Sequence, residues 1–132
     1  MIASAWLTAL ETMGRSLRLL LVEDHADSAE LLAELLQNHG HIVTVATSAE
    51  NALEIASQHA FDVVVSDVGL PDASGYELME QMRKLYAVKG IAVTGSSRAS
   101  DVERGKAAGF SAHLTKPVSI RKLEAALEQV VG

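Results

Sequence analysis

A valine run, Val63-Val64-Val65, leads within two residues to a carboxylate, Asp67, and then to the turn Gly69-Leu70-Pro71-Asp72. β-Branched residues in succession, without polar alternation, predict a strand packed on both faces, as in a parallel sheet covered by helices. The strand is expected over residues 61–66. Further apolar runs are expected as strands at 18–22, 41–46, 91–94 and 111–115, each followed by a segment of helical periodicity. Strands alternating with helices imply βαβ units, so the chain reads as one α/β domain, a doubly wound (βα)₅ parallel sheet over residues 17–132.

The helices carry their own start and stop signals. The first is expected over 27–39, with Leu31, Leu32, Leu35 and Leu36 on its apolar face and Gly40 as its stop. Capping-box patterns open the second at Thr47-Ser48-Ala49-Glu50, the third at Ser74-Gly75-Tyr76-Glu77 and the fourth at Ser100-Asp101-Val102-Glu103. Ala52, Leu53 and Ile55 then mark the second, and Leu78, Met82 and Leu85 the third, while Gly109 ends the fourth. Ser119 caps a fifth along Ile120, Leu123, Ala126, Leu127 and Val130.

Composition excludes several classes. A net charge of −6 argues against nucleic-acid binding, and the absence of cysteine excludes disulfides and thiolate metal sites and fits the cytoplasm. No apolar run approaches the roughly 20 residues of a membrane span, so no membrane contact is expected. Residues 1–16 lack the features of a signal peptide. With Ile2, Trp6, Leu10 and Met13 at helical spacing, they read as a short amphipathic helix or as a linker. Gly105-Lys106 lacks the rest of a P-loop, and Glu23-Asp24-His25 stands where a dinucleotide site would carry glycines.

Four of the five expected strands end on a reactive or charged group: Glu23-Asp24, Asp67, Thr94 and Lys116. Parallel strands point their carboxyl ends the same way, so these groups share the edge where open α/β sheets bind and react. Three carboxylates there repel one another unless a cation joins them, and hard oxygen donors suit Mg²⁺, with Mn²⁺ as a substitute. Beside a lysine and a hydroxyl, that arrangement fits phosphoryl transfer, with Asp67 as nucleophile and Thr94 and Lys116 on the phosphoryl oxygens. Each residue also has a bland reading. Glu23, Asp24 and Asp67 could cap or begin turns, Thr94 could be an ordinary strand residue, and Lys116 could be surface charge. The Lys116-Pro117 bond is a candidate for the cis form. His25 reads as a loop residue that brushes the site, and His39 and His41 as helix-end cations without metal.

The motifs Leu19-Leu20-Leu21-Val22-Glu23-Asp24, Val63-Val64-Val65-Ser66-Asp67-Val68-Gly69-Leu70-Pro71-Asp72, Ile91-Ala92-Val93-Thr94-Gly95 and Leu114-Thr115-Lys116-Pro117-Val118 closely resemble those of receiver domains of two-component signalling. The resemblance spans roughly residues 17–131. It implies a flavodoxin-like sheet of order 2-1-3-4-5 and transfer of a phosphoryl group from a phosphohistidine to Asp67. It further implies Mg²⁺ held by Asp24, Asp67 and the Gly69 backbone carbonyl, with Glu23 acting through water, and Thr94 and Lys116 binding the phosphoryl group. The implied partner is a histidine kinase or a histidine phosphotransfer domain, and the domain itself is expected as a monomer or weak dimer.

One position departs from the family pattern. His113 stands where many receivers carry Tyr or Phe, a ring that moves with the Thr on phosphorylation. Either this receiver relays phosphate more than it rearranges an output face, or the imidazole simply substitutes for that ring. The run Ala112-His113-Leu114-Thr115-Lys116-Pro117-Val118 resembles receivers at the ends of hybrid sensor histidine kinases, with a stand-alone response regulator as the alternative. Two readings from other classes are an Mg²⁺-dependent aspartyl phosphatase and an unphosphorylated interaction module. The first commonly has a second Asp where this chain has Gly69, and the second usually lacks site residues that are present here.

Overall fold

The computed structural model describes residues 16–96 and 98–132. Among these, five strands alternate with five helices: β1 (Arg18–Val22), α1 (Ala26–Asn38), β2 (Ile42–Ala46), α2 (Ala49–Ala56), β3 (Val63–Asp67), α3 (Gly75–Leu85), β4 (Lys89–Thr94), α4 (Ala99–Ala108), β5 (Ala112–Thr115) and α5 (Ile120–Val131). The strands are all parallel and lie in the order β2-β1-β3-β4-β5. This is the flavodoxin-like architecture expected from the sequence.

Strand parity divides the interior into two apolar layers. Leu19, Leu21, Val63, Val65, Ile91 and Val93 pack with Ala33 and Leu36 of α1 and Leu123, Ala126 and Leu127 of α5. Leu20, Val22, Val64 and Ala92 face the other way, onto Ala52 and Ala56 of α2, Leu78, Met79 and Met82 of α3, and Ala108 of α4. Small alanines let the helices approach the sheet, which is why so few aromatic rings suffice.

The helix starts differ in instructive ways. Ser48, rather than Thr47, caps α2 by accepting from the Asn51 N–H at 3.0 Å, while the Asn51 side chain accepts from the Thr47 N–H. The reciprocal pair has shifted by one residue, because Asn51 substitutes for Glu50. Ser74 and Ser119 cap α3 and α5 as expected, each contributing about 1 kcal/mol. Ser100 does not cap α4. That helix starts at Ala99 behind Arg98 with no side-chain cap, and Asp101 is instead held by the Ser96 hydroxyl at 2.5 Å. Gly109 ends α4 at φ 114°, a conformation that L side chains rarely adopt.

Two leucines placed on core faces are exposed. Leu31 is 61% and Leu85 64% accessible, because the buried stripe of α1 is Ala29, Ala33 and Leu36 and α3 turns Leu78, Met79 and Met82 inward. β3 also lies later than expected. Phe61 precedes it, since Asp62 turns back to Arg18 through both its N–H and its carboxylate, and Asp67 is its last residue. β4 begins earlier, at Lys89, which pairs with Val63.

At the opposite edge from Asp67, His41 is buried. Its Nδ1 accepts the Leu17 N–H at 3.1 Å and its Nε2 meets Glu124 of α5 at 2.9 Å. With Nδ1 an acceptor, the ring proton sits on Nε2 and is donated to the carboxylate. His41 is therefore a buried strut between α5 and the entry to β1, which corrects its reading as a helix-end cation. No helix among the described residues is long and apolar enough to cross a membrane. Apart from Ser16, the segment 1–16 lies outside the described residues.

Candidate functional site

β1, β3, β4 and β5 deliver their ends to one edge. Glu23 and Asp24 follow β1, Asp67 and Thr94 end β3 and β4, and Lys116 follows β5. Register fixes their relative heights: Ser66 lies opposite both Val22 and Ala92, Asp67 opposite Val93, and Thr94 opposite Thr115. Glu23, Asp67 and Thr94 are buried polar residues at the lip of an otherwise apolar sheet.

The Lys116 Nζ lies 2.9 Å from Asp67 Oδ2 and 3.5 Å from Glu23 Oε2. Burial works to lower the pKa of Lys116, but the hydrogen bond to Asp67 and the charges of Asp67 and Glu23 outweigh it and hold the ammonium above its ordinary value. It is thus a fixed cation. Its backbone N–H also bonds the Thr94 carbonyl at 2.7 Å, and the Lys116-Pro117 peptide is cis. The Asp67 Oδ1 accepts the Gly69 N–H at 3.2 Å, and Thr94 Oγ1 accepts the Ser96 N–H at 3.2 Å.

The donor set fits a divalent cation. Three carboxylates, Glu23, Asp24 and Asp67, stand against one ammonium, which leaves a deficit of positive charge. All are hard oxygen donors, the chemistry that Mg²⁺ selects. His25 brushes this acidic pair as expected, with its Nδ1 3.1 Å from Glu23 Oε1 and 3.3 Å from Asp24 Oδ1.

His113 of β5 points its Nε2 at the Ser96 carbonyl, 2.9 Å away, leaving Nδ1 buried and without a partner among the described residues. A Cβ at Gly105 of α4 would lie 3.9 Å from that Nδ1. Thus the ring lies under α4 and beside the loop that follows Thr94. Tyr76 of α3 packs edge-on against Phe110 at a centroid distance of 6.4 Å and carries Arg104 over its ring.

Asp72 is a residue whose role the sequence reading missed. It sits in the loop after Asp67, yet its two oxygens accept the N–H groups of Ala49 and Glu50, both at 2.9 Å, and so cap α2. These backbone bonds, from Glu50 first and then Ala49, lower its pKa. As pH falls, the unfolded chain binds this proton before the folded one. The cap therefore contributes fully above about pH 3.8 and is lost as pH drops through the lowered value. Asp72→Asn is expected to flatten that part of the acid-unfolding curve, measured by circular dichroism. An unchanged slope would remove Asp72 from the acid response.

Comparison with known proteins agrees with this geometry. The family model described as "Response regulator receiver domain" matches residues 19–128. The virulence sensor protein BvgS of Bordetella pertussis is 36% identical over 125 residues, covering 89% of this chain and 10% of its own length. An uncharacterized 14.6 kDa protein of Leptolyngbya boryana is 35% identical over 114 residues, covering 84% of this chain and 87% of its own length. The chain thus spans about a tenth of one relative and most of the other. The solved CheY-like response regulator receiver domain from Methylobacillus flagellatus superposes with a TM-score of 0.80 at 32% identity, over 88% of this chain and 99% of that one. With its sheet order, its acidic edge and its lysine all in place, the chain belongs to the response regulator receiver domain family of two-component signalling.

Proposed function

We propose that residues 17–132 form a phosphoacceptor receiver in a phosphorelay, taking a phosphoryl group from a phosphohistidine onto Asp67. The observation that carries this reading is the Lys116 ammonium, 2.9 Å from an oxygen of Asp67. An Asp67 oxygen attacks phosphorus in line, the P–N bond breaks, and its electron pair leaves on the imidazole nitrogen. Lys116 and the Thr94 hydroxyl take the phosphoryl oxygens. Asp24, Asp67 and the Gly69 carbonyl would hold Mg²⁺, with Glu23 acting through water, and the cation supplies neutralisation of the transferred group's charge. Mn²⁺ would serve in its place.

The partner is a helical phosphohistidine domain, of a histidine kinase or a phosphotransfer protein, seated over α1 and the loops around Asp27, Leu70 and Pro117. Leu31, exposed on α1, supplies an apolar anchor for it. The acidic net charge leaves the domain without a nucleic-acid surface. We place it in the cytoplasm as a monomer or weak dimer, without membrane contact of its own. It acts as a segment of a hybrid sensor kinase, in keeping with the match to a short part of a much longer sensor protein. The nearly full-length match to a 14.6 kDa protein favours the second reading, a stand-alone regulator.

Incubation with Mg²⁺ and acetyl phosphate, followed by intact mass measurement, tests the chemistry. The parent is expected to gain one phosphoryl group, about 80 Da, only when Mg²⁺ is present, and Asp67→Asn to gain none. Equal uptake by both proteins would put the acceptor elsewhere.

A further inference from the structure

Helix α2 is capped from two places. The first N–H groups of a helix have no carbonyl within it to bond, and this chain divides them between two acceptors. The Ser48 hydroxyl takes the Asn51 N–H at 3.0 Å. Those of Ala49 and Glu50 go to the two carboxylate oxygens of Asp72, each at 2.9 Å. The helix already has its own cap in Ser48, and Glu50 is exposed, so water would serve that N–H without Asp72. The larger consequence of the paired bonds falls on the loop that carries Asp72.

That loop joins β3 to α3 and is closed at its base. Gly69 pairs with Ser74 in an isolated antiparallel bridge, and the Gly75 N–H bonds the Val68 carbonyl at 2.7 Å. The Gly69 N–H is bonded to Asp67 Oδ1 at 3.2 Å, which ties the place of Gly69 to that of the carboxylate. Beyond the bridge the chain runs through Leu70, Pro71, Asp72 and Ala73. Leu70 and Ala73 pack part of their surface on the apolar layer, a contact that has no direction. Asp72 adds direction. Its two oxygens engage two successive N–H groups, so the carboxylate is fixed in both place and orientation.

We propose that Asp72 is a positioning residue for the divalent cation, holding the tip of this loop on α2 so that Gly69 presents its backbone carbonyl to the acidic edge before an ion arrives. The inference rests on the proposed function only in that the edge takes Mg²⁺ with the Gly69 carbonyl among its ligands. A loop that must order itself on binding subtracts that ordering from the affinity, whereas a loop fixed on folding does not. Mg²⁺ is demanding in this respect, because it accepts little departure from octahedral geometry. Groups that orient a ligand without touching the metal commonly contribute about tenfold or more to metal affinity.

The test titrates Mg²⁺ calorimetrically into the parent, Asp72→Ala, Asp72→Asn and Ser48→Ala, with circular dichroism to confirm that each is folded and the Gly69 amide resonance followed alongside. Ser48→Ala removes a cap from the same helix but leaves the loop tied, and Asp72→Asn removes the same charge as Asp72→Ala but keeps an acceptor oxygen. Mg²⁺ binding is expected to weaken by about tenfold in Asp72→Ala, to stay within about threefold in Asp72→Asn and within about twofold in Ser48→Ala. The Gly69 amide is expected to shift in the metal-free Asp72→Ala protein and to hold its place in Ser48→Ala. Unchanged binding in Asp72→Ala overturns the proposal and leaves the Mg²⁺ reading standing. So does an equal loss in Asp72→Asn, which would trace the effect to charge, or in Ser48→Ala, which would trace it to the helix. A folded parent that binds no Mg²⁺ overturns both.

Discussion

Lys116→Met is expected to lower the stability of the metal-free protein by about 2 kcal/mol and to recover much of that loss in Mg²⁺. The side chains of Asp67 and Glu23 are each only 9% exposed, and Lys116 is the cation between them. Removing one partner of a fully buried ion pair costs about 3–5 kcal/mol, because the remaining charge stays buried and uncompensated. Here the lysine side chain is 39% exposed, and solvent screening brings the cost below that range. Met retains the apolar stem, so the loss isolates the ammonium. A cation that binds only the folded state stabilises it by mass action, and the more negative site of the variant binds it more tightly. Thermal unfolding with and without millimolar Mg²⁺ should therefore show a larger upward shift for the variant than for the parent. Equal shifts would mean that the carboxylates do not share a cation site. Phosphoryl uptake from acetyl phosphate is expected to slow by about a hundredfold, the usual order for losing one preorganised donor to a developing charge.

Gly75→Ala is expected to cost about 3 kcal/mol and to abolish phosphoryl uptake with it. A Cβ at Gly75 would collide with the Asp67 carbonyl oxygen and lie 2.9 Å from Val68 Cα and 3.2 Å from the Asp67 carbonyl carbon. All three are backbone atoms, so no rotamer change relieves the contact. The Gly75 N–H is also bonded to the Val68 carbonyl at 2.7 Å, which draws the first turn of α3 against the end of β3. Overpacking in well-packed regions costs about 1–3 kcal/mol, and collision with backbone belongs at the upper end. The first turn of α3 must move outward and take Asp67 off its contact with Lys116. Gly95→Ala is the control: nothing lies within 4 Å of its added Cβ, so a change within about 0.5 kcal/mol is expected. Comparable losses in both would mean that the collision at Gly75 is not what destabilises the variant.

The five strands and the edge that their carboxyl ends share were legible because they follow from local pattern, whereas the order 2-1-3-4-5 came from the resemblance to receiver domains. Val63, Val64 and Val65 announce a covered strand, and Asp67 closes it. The capping serines Ser74 and Ser119 and the stop at Gly109 act over a few residues and were read correctly. What escaped depends on distant partners. Which leucines of α1 and α3 face inward is set by how each helix rolls on the sheet, so Leu31 and Leu85 looked like core from spacing alone. His41 owes its burial to Glu124, 83 residues away. Asp72 caps a helix that begins 23 residues earlier. The nearness of His25 to Glu23 and Asp24, by contrast, is local in sequence and was expected. For Ser100, the capping pattern was present but the helix starts one residue earlier, at Ala99 behind Arg98.

Strand parity also gives the two helical layers different employment. By alternation, Asp67 and Lys116 continue the rows of Val63 and Val65 and of Ala112 and Leu114, which belong to the α1 and α5 side. Thr94 continues the row of Ala92, on the α2, α3 and α4 side, where His113 meets the loop before α4. The Asp67 carboxylate and the Lys116 ammonium thus stand on one flank, and the hydroxyl and the imidazole on the other. Between the flanks lies the sheet itself, whose middle is built largely of buried valine, leucine and isoleucine. The two flanks come together at the rim, where Asp67 ends β3 and Thr94 ends the neighbouring β4.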